Sequence, residues 1–452
     1  MIFMNANYYF EKASIPKAVM HFSLPMIIGM SVSIIYTLLN AFFIGLLHDS
    51  VMITAITLTL PVFALLMALG NLIGVGGGTF ISRLFGEKKF TKMKEVSSFS
   101  FYASIVLGII TMIIGVLFID GITRGLGASS DAFIYTKQYV LVMILGAPFF
   151  ILNFSLEQIV RSEGAAVVSM IGMFVSVIIN LALDPLFIFV FHWGVPGVAV
   201  ATLIGNMGAV IYYAMYIVRK SELLTFSWHF LKIEKSVVQE IVKIGIPVAL
   251  MSALMGVTAL IFMNYAALYG DNAVASYGIS QRILQLPELI IMGLCEGVIP
   301  LIAYNFTANK KRMSAAIKFT SLVVGTLATL FAIIAFFVGN HVIGLFTIDP
   351  DVIELGSYVI KVIFISLFIT GFTSLMIGIF QATGQGKAAL TMSLSQGLAM
   401  IPVLIIANHY FDFHGVIWAI VIGDVITFVI GISVLYVLRN KLTVSKDFEF
   451  EG

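Results

Sequence analysis

Charge is what this chain has least of. Only 11% of its 452 residues are Asp, Glu, Lys or Arg, and 60% are hydrophobic. Soluble globular proteins carry roughly 25% charged residues. A soluble fold could not cover this much apolar surface, so lipid must be the solvent for most of it. The net charge of +2 is far too small for a nucleic-acid-binding face. The single cysteine, Cys295, lies in an apolar run and excludes an intrachain disulfide. The first twenty residues lack a basic patch followed by an apolar core and a small-residue cleavage site, so they read as a polar tail and not a leader. Two Gly-rich stretches, Gly74-Val75-Gly76-Gly77-Gly78 and Gly384-Gln385-Gly386, are not followed by the Lys-Ser/Thr of a phosphate-binding loop. The first falls inside an apolar run and suits close helix packing. No nucleotide partner is expected. The seven His residues are dispersed without metal-ligand spacing, and no Ser/His/Asp arrangement suggests hydrolysis. The chain is therefore expected to be no enzyme and to need no cofactor.

What is present is a series of long apolar runs. A helix needs about 20 apolar residues to cross the hydrocarbon. Runs at 20–46, 52–82, 96–119, 133–160, 165–191, 195–218, 241–269, 275–306, 315–345, 353–381, 388–409 and 415–438 predict twelve transmembrane helices in an all-α integral membrane protein. Of the 25 Lys and Arg residues, only Arg124, Lys137, Arg282 and Lys361 fall outside the segments on the N-terminal side of the membrane. The positive-inside rule then puts both termini in the cytoplasm.

The halves repeat. Pro25 and Asp49 match Pro247 and Asp271, and Tyr139 to Gly164 parallels Tyr358 to Gly384. Six spans per half give two pseudo-symmetric six-helix lobes in the same orientation, and such lobes commonly enclose a central cavity. The expected boundaries are an N-lobe over 1–218, a cytoplasmic linker over 219–240 with a short amphipathic helix, a C-lobe over 241–438 and a cytoplasmic tail over 439–452. One chain holds both lobes, so a monomer suffices.

Ionisable groups inside hydrocarbon are expensive and mark function. Asp184 is the sharpest candidate. Asn180 stands one helical turn before it on the same face. Pro185 cannot donate to the carbonyl of Leu181 and should loosen the helix there. Counting from the outer ends of their runs, Asn40, Asn180, Asp184 and Thr202 share one layer of the N-terminal half. The competing reading is that Asp184 only ties helices together. In the eighth span, Arg282 and Glu296 share a face, and Glu288 lies near mid-membrane just after Pro287. One carboxylate could neutralise Arg282. Glu288 could equally attract a cationic substrate. Asp424 lies well inside the twelfth run, as a substrate group or an interhelical bond. Lys361 and Glu157 sit nearer membrane ends and should snorkel. The 38 Phe and 22 Met suit a cavity that accepts many shapes.

Four segments carry a family resemblance: PELIIMGLCEGVIPLIAYNFTANK (Pro287 to Lys310), the Gln381-Ala-Thr-Gly-Gln-Gly turn, AITLTLP (Ala55 to Pro61) and LALDPLFIF (Leu181 to Phe189). Together they resemble the multidrug and toxic compound extrusion (MATE) transporters, in particular the MepA-type bacterial exporters, over essentially the whole chain. The resemblance implies alternating access and export of lipophilic, often cationic drugs across the bacterial plasma membrane, driven by inward H⁺ or Na⁺. It also implies an N-lobe cation site made of an Asp on span one, an Asn and an Asp on span five and a Thr on span six. The last three match Asn180, Asp184 and Thr202. Asn40 stands where many relatives have Asp. Some branches carry a Glu in span seven, but PVALMSALM (Pro247 to Met255) has none. Asp184 should then carry most of the coupling, and would ligate a metal ion only if Na⁺ is the coupling ion. For substrate, Asp184, Glu288, Glu296, Asp424 and Arg282 are the candidates, with drug and membrane lipid as the partners. The nearest alternative is a lipid-linked oligosaccharide flippase of related fold. It would need several cationic groups to hold diphosphate, where only Arg282 and Lys361 are on offer.

Overall fold

The computed structural model describes residues 7–45 and 50–442, without the side chains of 33–42, 44 and 50. Every regular element among the described residues is helical. We number the α-helices α1 (Ile15–Gly45), α2 (Ser50–Leu58), α3 (Leu60–Gly86), α4 (Phe90–Leu117), α5 (Ile119–Gly125), α6 (Ser130–Leu145), α7 (Ala147–Ser162), α8 (Ala166–Pro185), α9 (Gly194–Arg219), α10 (Lys235–Ala267), α11 (Asp271–Ala308), α12 (Lys310–Gly344), α13 (Pro350–Ala382), α14 (Gly386–Leu398) and α15 (Met400–Leu442).

Among the described residues, ten helical stretches are long and apolar enough to cross a membrane. The pair α6 and α7, bent by 56° where they meet, makes an eleventh. The last stretch, Gly386–Leu442, is 57 residues long. As one straight helix it would measure about 85 Å, against roughly 30 Å of hydrocarbon. It turns at Asp412, whose φ of 49° and ψ of −138° break the helix. Twelve passes result, as the apolar runs predict. Helices α4, α10 and α12 start five or six residues before those runs. Their opening residues carry Lys92, Lys94 and Glu95, then Lys235 and Glu240, then Lys310, Lys311 and Arg312. Helix thus extends past the hydrocarbon into water, where a hydropathy reading cannot follow it. Between α9 and α10 the only helical turn is a 3-10 turn at Trp228–Phe230. The expected amphipathic helix is absent, because those residues are held extended against α4 by side-chain bonds described below.

The chain forms two compact units, Met1–Lys12 with Ile28–Ala249, and Ala13–Ile27 with Leu250–Gly452. Each changeover lies two residues past a proline of the repeat, Pro25 or Pro247. In the first unit α3 packs on α10 with backbones nearly touching. A Cβ at Gly76 would lie 2.3 Å from the Ile241 carbonyl oxygen, and one at Gly245 would lie 2.0 Å from that of Leu72. Gly74 and Gly78 face α7 instead, 2.8 Å from Ser155 Cα and 3.0 Å from the Gln158 carbonyl oxygen by the same measure. Without a hydrophobic drive between helices in lipid, such close approach supplies the packing energy. In the second unit Gly293 and Gly297 of α11 receive the first half of α1, and Ser23 Oγ donates to the Leu294 carbonyl at 2.9 Å. Glycine also closes the repeat's matching turns, Gly164 at φ 96° and Gly384 at φ 69°. Both are left-handed conformations that glycine adopts without strain.

Candidate functional site

The first unit gathers its polar groups around Asp184, which is 0% exposed. Asn180 and Asp184 lie four residues apart on α8, so both side chains leave the same face. Pro185 ends the α-helical ladder, and the next turn widens into a π-type segment, Leu186–Val190, closed by a bond from the Phe191 N–H to the Leu186 carbonyl at 3.0 Å. Such local widening recurs at functional positions in helices. Gly205 lets α9 approach α8: a Cβ there would lie 2.6 Å from the Ser176 carbonyl oxygen. That approach brings Thr202 to Asn180.

The amide of Asn180 takes the orientation that satisfies its neighbours. Its NH₂ donates to Asp184 Oδ2 at 2.7 Å, and its carbonyl accepts from the Thr202 backbone N–H at 2.9 Å and lies 3.1 Å from Thr202 Oγ1. Tyr139 of α6 stands beside the Thr202 side chain. Asn206, one turn beyond Thr202, donates to the Thr202 carbonyl at 2.8 Å and accepts from Asn153 of α7 at 2.8 Å. Helices α7, α8 and α9 thus feed one polar chain that ends on Asp184. Its other oxygen, Oδ1, is buried with no hydrogen-bond partner among the described residues. Leaving a buried acceptor unsatisfied costs about 1–3 kcal/mol, and more for a charged one. A proton or a small hard cation would remove that cost. No three of His, Cys, Asp and Glu come together to hold a metal among the described residues. A bound Na⁺ would instead draw on carboxylate, amide and hydroxyl oxygens, the donors that hard cations prefer. The Asn40 side chain lies outside the described residues.

The second unit holds a cavity of about 190 Å³ into which Glu288 and Asp424 both face. Asp424 Oδ2 accepts from Ser366 Oγ and, at 2.9 Å, from Thr370 Oγ1, tying α15 to α13. Tyr277 and Gln281, bonded to each other at 2.8 Å, add further polar lining. Met255, Met400 and Phe262 supply an apolar wall. No Lys or Arg lines this cavity among the described residues. Arg282 is exposed and makes no ion pair among the described residues, and Glu296 is half-buried and outside the cavity lining. Lys361 Nζ lies 5.4 Å from the Phe336 ring centroid. Glu157 is buried beside buried Arg161. It does not snorkel, because its helix end is covered by protein and not by headgroups.

Sequence reasoning passed over Tyr139, Asn153 and Asn206, and in the second unit Gln281, Ser366 and Thr370. Amides and hydroxyls inside apolar runs are their only signal, and many such groups merely bond their own helix, as Thr427 does. Glu163, in the turn after α7, was also missed. It is buried beside Tyr216, accepts from Ser221 Oγ at 2.7 Å, and its Oε1 has no partner among the described residues. Burial pushes its carboxyl up to about 7 despite the Ser221 donor.

The MatE family profile matches this chain twice, at residues 25–186 and 247–406. The two matches fall on the two halves of the repeat. The chain is 49% identical over 445 residues to the multidrug export protein MepA of Staphylococcus aureus, covering 98% of this chain and 99% of the relative. It is 47% identical to the protein of that name in Staphylococcus saprophyticus, with the same coverage. Among solved structures, the outward-facing conformation of a multidrug resistance MATE family transporter superposes with a TM-score of 0.89 at 24% identity, covering 96% of this chain and 98% of that one.

Proposed function

The chain belongs to the MatE family, and from that premise we propose that it exports lipophilic, often cationic drugs and biocides by alternating access, in exchange for inward H⁺ or Na⁺. It is a multi-pass membrane transporter and not an enzyme. Near-full-length similarity to multidrug export proteins supports the cargo class over a lipid-linked oligosaccharide flippase. The cavity of the second unit, lined by carboxylates and by no Lys or Arg among the described residues, supports it too, since a diphosphate would be repelled there. No cofactor enters the reading; the ion is a co-transported substrate.

The observation that carries the coupling is the buried oxygen of Asp184 that has no partner among the described residues, beside the Asn180 amide. Opened to the outside, Asp184 takes up H⁺ or Na⁺. Neutralisation satisfies the stranded oxygen and removes the attraction that held a cationic drug. The drug leaves, and the helix repacks around its widened turn after Pro185. Opened to the inside, the ion departs, the charge returns and the next cation is drawn in. Glu288 and Asp424 serve as a second station for cationic cargo. The distribution of basic residues supports both termini in the cytoplasm of a bacterial cell, and the presence of both lobes in one chain supports a monomer.

Ethidium efflux from proteoliposomes tests the reading, first under an imposed pH gradient and then under a Na⁺ gradient. Efflux driven by one gradient supports antiport and names the ion. No efflux under either gradient would refute it, and lipid-linked cargo would then be tested.

A further inference from the structure

A second cavity, of about 410 Å³, opens in the first unit between the start of α4, the end of α9 and the linker that follows. Its walls change character from one side to the other. Ile217, Val218 and Leu224 form an apolar side, while Lys94, Ser221 and Ser227 form a polar one. Lys94 stands two residues before the apolar run of α4 begins, and Val218 is the last residue of the apolar run of α9. The cavity therefore lies at the plane where hydrocarbon gives way to headgroups. Trp228 marks the same plane: it is 69% exposed and packs edge-on against Tyr102 with ring centroids 5.0 Å apart. Exposed Trp is characteristic of the interface.

The walls are fixed by bonds. Ser98 Oγ donates to the Ser227 carbonyl at 3.0 Å and Tyr102 to the Phe226 carbonyl at 2.9 Å. Ser97 Oγ lies between α4 and the linker backbone, donating to the Thr225 carbonyl at 3.1 Å and accepting from the Thr225 N–H at 3.0 Å. Phe226 stacks on Phe101 with centroids 4.0 Å apart. The neighbouring cations divide into two sets. Lys92 and Lys232 are neutralised by Glu95, and Lys92 also by Glu234. Lys94, Arg219 and Lys220 make no ion pair among the described residues. Lys94 Nζ sits 5.8 Å from the Phe230 ring centroid, with its N–H donors available to the cavity.

We propose that this cavity binds the headgroup of an anionic glycerophospholipid, with the phosphate on Lys94 and the Thr225 hydroxyl and one acyl chain along Val218. Exposed Glu222 also lines the cavity and would accept hydrogen bonds from the free hydroxyls of a glycerol headgroup. Lys94 and Glu222 are the charged lining residues; exposed Arg219 and Lys220 beside the mouth tip the local charge positive, and clustered basic residues at the end of membrane helices are a recognised setting for anionic lipid. The proposal rests on the orientation given above only for assigning the lipid to the inner leaflet.

The test is thermal unfolding of the full-length protein in neutral detergent micelles, titrated with phosphatidylglycerol, phosphatidylcholine or glycerol 3-phosphate. No gradient is involved, so the outcome is independent of whether the protein transports. Phosphatidylglycerol should raise the melting temperature of the wild type with a saturable dose response. Lys94→Gln should shift the half-saturating lipid concentration at least fivefold, and Lys94→Arg should restore it. Equal stabilisation by phosphatidylcholine, or an unchanged titration in Lys94→Gln, would overturn the proposal. Saturable stabilisation by glycerol 3-phosphate alone would make the cavity a soluble-phosphate site and overturn the lipid reading.

Discussion

Adding one carbon at Gly245 should destabilise this protein, while adding the same carbon eleven residues later on the same helix should not. The Cβ of Gly245→Ala would sit 2.0 Å from the Leu72 carbonyl oxygen, where real Cβ contacts essentially never fall under 3.0 Å. Both sides of the contact are backbone, so no side chain can swing away. Helices α3 and α10 must part locally by about 1 Å, since a gap of roughly 0.5–1 Å already forfeits a quarter to a half of a dispersion well. Overpacking of this sort costs about 1–3 kcal/mol, and the reciprocal contact of Gly76 with Ile241 is loosened with it. At Gly256, also on α10, a Cβ meets nothing within 4 Å. There Ala should be neutral or stabilise by up to ~1 kcal/mol through helix propensity. Fluorescence-detected thermal unfolding in detergent reads both variants. Gly245→Ala should melt several degrees below wild type, and Gly256→Ala at or above it. Equal melting of the two variants would refute the claim that backbone contact between α3 and α10 supports the first unit.

Three further outcomes follow from the geometry. Glu163, held near 7 in the folded protein against an ordinary 4.5, favours the folded state in its protonated form, so its penalty is absent below about pH 4.5, grows between pH 4.5 and 7 and is full above 7. Glu163→Gln keeps a partner for Ser221 and should gain stability over wild type at pH 8, by of order 3 kcal/mol, but not at pH 4; a constant difference across that range would contradict the assignment. Glu288→Gln should raise the KM for a cationic drug about tenfold, equivalent to ~1.4 kcal/mol, and change that of a neutral drug less than twofold; equal effects on both would remove the charge argument. Asn180→Leu removes the donor to Asp184 Oδ2 and the acceptor of the Thr202 N–H, so that neither carboxylate oxygen is bonded among the described residues; ion-driven efflux should fall at least tenfold while the melting temperature drops by a few degrees, and unchanged efflux would show that the amide does not support the site.

The fold was legible because lipid imposes a simple rule. Twelve apolar runs, separated by charge on one side, allow little else, and Asp412 turns the chain between the last two runs of the reading. Helix starts were less legible, since Phe90, Lys235 and Lys310 begin helices in water, where hydropathy gives no signal. At the site, Asn180, Asp184 and Thr202 could be placed in one layer by counting turns from the helix ends. Tyr139 and Asn153 could not, because each joins through a contact between helices that spacing along one helix does not encode. Glu288 and Asp424 appeared separately in the sequence, 136 positions apart by number (424 minus 288). Only the packing of the second unit puts them in one cavity. Arg282 and Glu296 share a helix face with each other, and sharing a face does not bring them into that cavity.

The account stands or falls on Asp184 as the carboxylate through which ion and drug exchange. The most direct measurement drives the exchange from the drug side: proteoliposomes holding a lumenal reporter for pH or Na⁺ receive a step of ethidium, with wild type beside Asp184→Asn. The wild type should move H⁺ or Na⁺ in the direction opposite to the drug, and Asp184→Asn should move neither ion in response while remaining folded by its melting curve. Ion counter-flow at the wild-type rate in Asp184→Asn would contradict the account and transfer the coupling to the carboxylates of the second unit.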